Sequence, residues 1–147
     1  MADRVLLVGE SNPYGADPRF ALYPEPPGCA GARLCAILGM TDREYLRTFD
    51  RWNLCTLVRS NRSGRQAALR LTAGSRVLLG ARVAAAHGVP FAPFTMQGPC
   101  GPGVCACGRW LILPHPSGRS RLWDAPGAAD RARLLVLDLV AQARGAL

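Results

Sequence analysis

The sequence predicts an α/β fold, a three-layer α/β/α sandwich around a central, mostly parallel sheet of about four strands. Three observations predict it. Short branched-aliphatic runs alternate with helical segments, glycine or proline closes most of them, and 147 residues suffice for one hydrophobic core but not for two. Residues 1–147 therefore read as a single domain.

Residues 4–8 form a buried strand ended by Gly9. Residues 9–28 hold Pro13, Pro18, Pro24, Pro26 and Pro27. Each proline fixes φ and lacks an N–H, so the segment is a long, rigid loop of the kind that builds sites. Residues 30–38 have helical composition and stop at Gly39, a C′ residue; Thr41-Asp42-Arg43-Glu44 then reads as a capping box that opens a second helix. Residues 51–58 read as a second strand, with Trp52, Leu54, Thr56 and Val58 on one face and Asn53, Cys55 and Leu57 on the other. A short basic helix over 63–71, a third strand over 76–79 and a helix over 80–87 follow. Residues 91–108, rich in Pro, Gly and Cys, read as irregular, 109–113 as the fourth strand and 114–120 as a loop. A final helix over 127–144 is expected to bury Leu134, Leu135, Val136 and Leu137 with Leu139 and Val140. Trp52, Trp110 and Trp123 are assigned to the core.

The formal charge of +8 comes entirely from arginine, of which there are 18 with no lysine. That removes chemistry based on a lysine Schiff base or a lysine phosphate clamp. It also points to a polyanionic partner, because arginines that neutralise phosphates release counterions. No apolar stretch approaches the ~20 residues of a membrane span, and no cleavage-site pattern follows the opening Met1-Ala2-Asp3-Arg4. A cytoplasmic protein is expected, with no membrane partner. Its six cysteines are then thiols or metal ligands rather than a disulfide framework. Cys100-x4-Cys105-x-Cys107 lacks a Cys-x2-Cys knuckle, so no metal or other cofactor is expected.

In parallel sheets ligands bind where the carboxyl ends of strands meet the following loops. That rule selects Gly9-Glu10-Ser11-Asn12-Pro13-Tyr14-Gly15 after strand one, Asn53 in strand two, and His115-Pro116-Ser117-Gly118-Arg119-Ser120 after strand four. Glu10 and Asn12 carry oxygens that position water. His115, fixed between two prolines, is a good hydrogen-bond donor, and the residues after it can wrap a phosphate. The Asn53 amide offers one acceptor and two donors in a plane, the complement of a pyrimidine's Watson–Crick edge.

The first and last of these segments resemble the first and last motifs of the uracil-DNA glycosylase superfamily, and their order along the chain fits that family. The resemblance implies a monofunctional DNA base glycosylase that hydrolyses the N-glycosidic bond of a flipped-out uracil-like or modified pyrimidine, without a lysine-dependent lyase step. In the branch whose motif is Gly-Gln-Asp-Pro-Tyr-His-Gly, the water-directing acid falls on Asn12, the proline on Pro13, and the tyrosine that limits substituents at pyrimidine C5 on Tyr14. In the branch with Gly-Glu-Ala-Pro-Gly, the matching residue is Glu10 instead; both assignments stay open. Gly9 and Ser11 complete the substrate side of this motif. Asn53 resembles the base-reading asparagine and His115 the histidine that donates toward pyrimidine O2. Arg119 stands where several members insert a leucine into the duplex. Phe20 or Tyr23 would stack on the extruded base, while Ser117, Gly118, Ser120, Arg121 and Arg62 would contact DNA. A non-hydrolytic module that reads a modified base, or a nucleotide or nucleoside hydrolase, would use the same pocket.

Overall fold

A computed structural model of the protein describes residues 4–10, 20–54, 74–97, 109–117 and 120–145. The fold is mixed α/β, with a five-stranded, mostly parallel sheet. In chain order its elements are β1 (Val5–Gly9), α1 (Ala30–Ile37), α2 (Asp42–Thr48), β2 (Phe49–Asn53), β3 (Arg76–Leu79), α3 (Ala81–Ala86), β4 (Thr95–Gln97), β5 (Trp110–Leu113), a 3-10 helix (Arg121–Asp124) and α4 (Ala128–Gly145). The strand order is β2-β1-β3-β5-β4, and only β4 runs antiparallel to its neighbour.

Alternation along the strands sorts the core into two clusters. Val5 and Leu7, Val77 and Leu79, and Leu111 and Leu113 pack with Leu34, Tyr45, Val136 and Leu139 from α1, α2 and α4. Val8, Leu78 and Ile112 pack instead with Val83 and Ala86 of α3. Fully buried strands of this kind read as continuous aliphatic runs, which is why residues 76–79 and 109–113 are legible as strands.

The helix boundaries follow local chemistry. Leu38 caps α1, and Gly39 takes the left-handed conformation (φ 65°) that ends it. The Thr41 hydroxyl accepts from the Glu44 amide at 3.2 Å while the Glu44 carboxylate accepts from the Thr41 amide at 3.0 Å, so the capping box is complete.

Four expectations need correction. The sheet has five strands rather than about four, because Thr95-Met96-Gln97 pairs with β5 inside a stretch whose composition reads as irregular. The strand expected over 51–58 is displaced: β2 spans Phe49–Asn53 and Asn53 closes it; residues 55–58 lie outside the described set, as does the basic helix expected over 63–71. Trp52, on the strand that ends the sheet's order, is 40% exposed rather than core. Trp110 and Trp123 do pack against the core. In α4 the expected apolar run splits by the 3.6-residue period: Val136, Leu139 and Val140 are buried, while Leu134 and Leu137 are exposed. Cys35 is a buried thiol whose pKa burial and Asp42 push up to about 11, which leaves it unreactive at neutral pH.

At the amino end of the sheet, Arg76 of β3 is buried and its guanidinium lies 3.0 Å from His87 Nε2. His87 Nδ1 lies 2.8 Å from the Val83 carbonyl. A carbonyl only accepts, so Nδ1 carries the proton and Nε2 accepts from Arg76: the neutral tautomer satisfies both contacts. Burial, with Arg76 adding to it against the Val83 contact, pushes the His87 pKa down to about 4. Between that value and the unfolded value near 6.5, the unfolded chain binds a proton that the folded one does not. The stability due to neutral His87 is therefore complete above about pH 6.5 and is lost as the pH falls toward 4. The expected loss is roughly 2 kcal/mol for a part-buried imidazole. Denaturant titrations from pH 7 to pH 4 should show this slope in the parent chain and a shallower one in His87→Gln.

Candidate functional site

The site lies at the carboxyl ends of the parallel strands. Strand register aligns Gly9 of β1 with Asn53 of β2, and the Leu54 amide donates to the Gly9 carbonyl at 3.0 Å beyond the last pair. On the other side of β1, the Gly80 amide after β3 donates to the Leu113 carbonyl of β5 at 2.9 Å. His115 follows two residues later. Chain order reverses across β1, since β2 flanks it on one side and β3 on the other, and this opens the crevice where α/β sheets bind ligands.

Two strands separate Asn53 from His115, about 14 Å at the usual strand spacing. Of the intervening strands, β1 ends in Gly9 and β3 is followed directly by Gly80. A Cβ on Gly9 would meet Asn53 Oδ1 at 2.5 Å, and one on Gly80 would meet His115 Cβ at 3.3 Å. Gly80 also has φ 100°, a backbone that side-chain-bearing residues rarely adopt. These glycines let the asparagine and the histidine settle inward over the strand ends. Asn53 Oδ1 is buried there without a hydrogen-bond partner.

Glu10, directly after β1, accepts from Arg82 NH1 of α3 at 2.7 Å. Its carboxylate acts on His115. Burial holds the imidazole below its ordinary pKa, and the Glu10 charge partly opposes this by favouring the cation. His115 is thus predominantly neutral at pH 7. Its loop is fixed by the Trp123 indole N–H, which donates to the His115 carbonyl at 3.0 Å, and Trp123 packs edge-on against Phe94 at 5.6 Å.

The segment after residue 20 is tied to α2, β2 and the start of α1 by several contacts. The Tyr45 hydroxyl donates to the Leu22 carbonyl at 2.8 Å, Arg51 to the Ala21 carbonyl at 2.9 Å, and the Cys29 thiol to the Tyr23 carbonyl at 3.3 Å. Leu22 is held in the left-handed region (φ 50°), and its side chain would touch a Cβ on Gly9 at 3.4 Å. Phe20 is 49% exposed and meets Tyr23 edge-on at 5.7 Å, while Tyr23 also carries the Arg51 guanidinium over its face.

Of the residues singled out in the sequence, Gly9, Glu10, Asn53 and His115 come to the strand ends. Phe20 and Tyr23 belong to the segment that Leu22 joins to Gly9. The Ser120 amide donates to the Ser117 carbonyl at 3.3 Å, and Arg121 is exposed at the start of the 3-10 helix. Ser11, Asn12, Pro13, Tyr14, Arg62, Gly118 and Arg119 lie outside the described residues, as do Cys100, Cys105 and Cys107. Among the described residues no group of three His, Cys, Asp or Glu is placed to hold a metal ion, and no helix is long and apolar enough to cross a membrane. Sequence reading missed Arg82. The carboxyl-end rule, applied to strand three as well, leads directly to Gly80-Ala81-Arg82.

No family model, curated protein or solved structure matches the chain.

Proposed function

We propose that this chain is a monofunctional DNA base glycosylase, similar to the uracil-DNA glycosylase superfamily, built as a three-layer α/β/α sandwich and acting in the cytoplasm on an extruded uracil-like or modified pyrimidine. The layering is supported by the two core clusters, with α1, α2 and α4 contributing to one and α3 to the other. The observation that carries the function is the buried, unpartnered Asn53 Oδ1 at the same strand ends as the Glu10–His115 pair. An orphaned buried acceptor costs about 1–3 kcal/mol. The imide N–H of a uracil-type base satisfies it, whereas cytosine presents a second acceptor there.

The chemistry follows from charge. The bond between C1′ and N1 breaks with its electron pair leaving on the base, and the neutral His115 N–H donates to pyrimidine O2 as negative charge accumulates. Positive charge remains on the sugar, stabilised by the Glu10 carboxylate and by DNA phosphates. Water adds to C1′ and passes its proton to Glu10, while the base takes its proton from solvent. Asn12, of the same motif, is the alternative group for directing that water. Phe20 supplies the ring that stacks on the base. No lysine, metal or cofactor takes part.

Oligonucleotides carrying a single uracil, a mismatched thymine or a hydroxymethylated pyrimidine, in single and double strands, test this directly. Incubation followed by alkaline cleavage should break the strand at the modified position. Tight binding without cleavage across the panel would identify a non-hydrolytic reader instead, and release from mononucleotides alone would identify a nucleoside or nucleotide hydrolase.

A further inference from the structure

We propose that Arg82 is a phosphate-binding residue that holds the nucleic-acid backbone and Glu10 with one guanidinium. A guanidinium presents five N–H donors in a rigid fork, suited to gripping two anions from different directions. NH1 of Arg82 is given to Glu10 at 2.7 Å, yet 71% of the Arg82 side chain is exposed against 29% of Glu10. The inner edge of the fork therefore holds the carboxylate while its outer donors face solvent. Arg82 stands two residues past Gly80, at the start of the helix that follows β3, and the Glu10 it holds directly follows β1, so the pair lies where the carboxyl ends of these two adjacent strands meet their loops.

Electrostatics requires such a group. Glu10 by itself would repel a phosphate brought to this crevice, and Arg82 cancels that charge while leaving donors for the incoming anion. The chain has no lysine, so every cationic side-chain contact to a backbone phosphate falls on arginine. Two other described arginines are engaged elsewhere: Arg51 with the Ala21 carbonyl and the Tyr23 ring, and Arg4 with Asp50 and carbonyls of α2 and β2. The phosphate gripped is the one next to the extruded nucleotide. That identity rests on the glycosylase reading, whereas the anion contact itself does not.

The test is fluorescence anisotropy with a fluorescein-labelled duplex of unmodified DNA, titrated between 50 and 200 mM salt. Each lost phosphate contact lowers the slope of log affinity against log salt by about 0.9. Arg82→Ala should lower it by that amount, both alone and in the Glu10→Gln background, and Arg82→Lys should restore it. Glu10→Gln alone should tighten binding, because an anion facing the phosphate is removed. A parental slope in Arg82→Ala in both backgrounds would mean that Arg82 only holds Glu10, and the proposal would fall. It would fall equally if the parent chain did not bind the duplex. A negative base-release screen with a reduced Arg82→Ala slope would instead sink the glycosylase reading and leave the phosphate contact standing.

Discussion

Replacing His115 with alanine is expected to slow base release by about a hundred- to a thousandfold, the usual cost of removing one preorganised donor from a developing anion. DNA binding should change little, because a neutral imidazole contributes no counterion release. The physical basis is its environment. Burial disfavours the imidazolium, so at neutral pH the ring donates a hydrogen bond without carrying a charge, and Glu10 keeps that shift from being larger. The release rate should accordingly show no inflection from His115 at its ordinary pKa near 6.5; any such inflection belongs below it. His115→Gln, which keeps an N–H donor, should recover part of the rate. The measurement is single-turnover release from the best substrate in the panel, with the unfolding midpoint as a control on folding. A variant that releases base at the parental rate while remaining folded would remove His115 from the chemistry.

Gly31→Ala is expected to destabilise the protein by roughly 3 kcal/mol, the upper end of what overpacking a close-fitted contact costs. The sign is informative, because in an exposed helix the same change stabilises by about 1 kcal/mol. In α1 the backbone of the preceding segment passes directly over Gly31. A Cβ there would overlap the Leu22 and Tyr23 carbonyl oxygens and lie 2.5 Å from the Leu22 carbonyl carbon. Those atoms are main chain and cannot rotate aside. They are also held by the Tyr45 hydroxyl and the Cys29 thiol. Guanidinium titration of the parent and the variant gives the difference. An unchanged or raised midpoint would show that residues 20–23 do not rest on α1. Because Leu22 reaches Gly9, the variant should also lose affinity for pyrimidine-containing substrate.

Local patterns made much of this protein legible. The strands at 76–79 and 109–113, the helix after Gly80, the capping box at Thr41 and the glycine end of α1 each follow from a short run of residues whose chemistry permits one conformation. The carboxyl-end rule likewise selects Glu10, Asn53 and His115 from the sequence alone. Where the reading went astray, the deciding contact lay far away in sequence. Thr95-Met96-Gln97 is a strand because β5 offers an edge to it, and its own composition carries little signal. Trp52 is exposed on β2, the strand at the end of the sheet's order, and Leu134 and Leu137 face outward because Val136, Leu139 and Val140 already fill the buried side of α4.

By itself, then, the sequence determined the α/β class, the arginine-only positive charge and the residue types offered to a ligand, since these depend on composition and on neighbours a few positions apart. Only the tertiary structure decided that Arg82 meets Glu10 across 72 positions, that Gly9 and Gly80 make room for Asn53 and His115, and that Gly31 bears the segment containing Leu22. Those are contacts between elements brought together by strand order. Strand order is set by which faces the whole chain can bury at once, a property that no local stretch of residues carries.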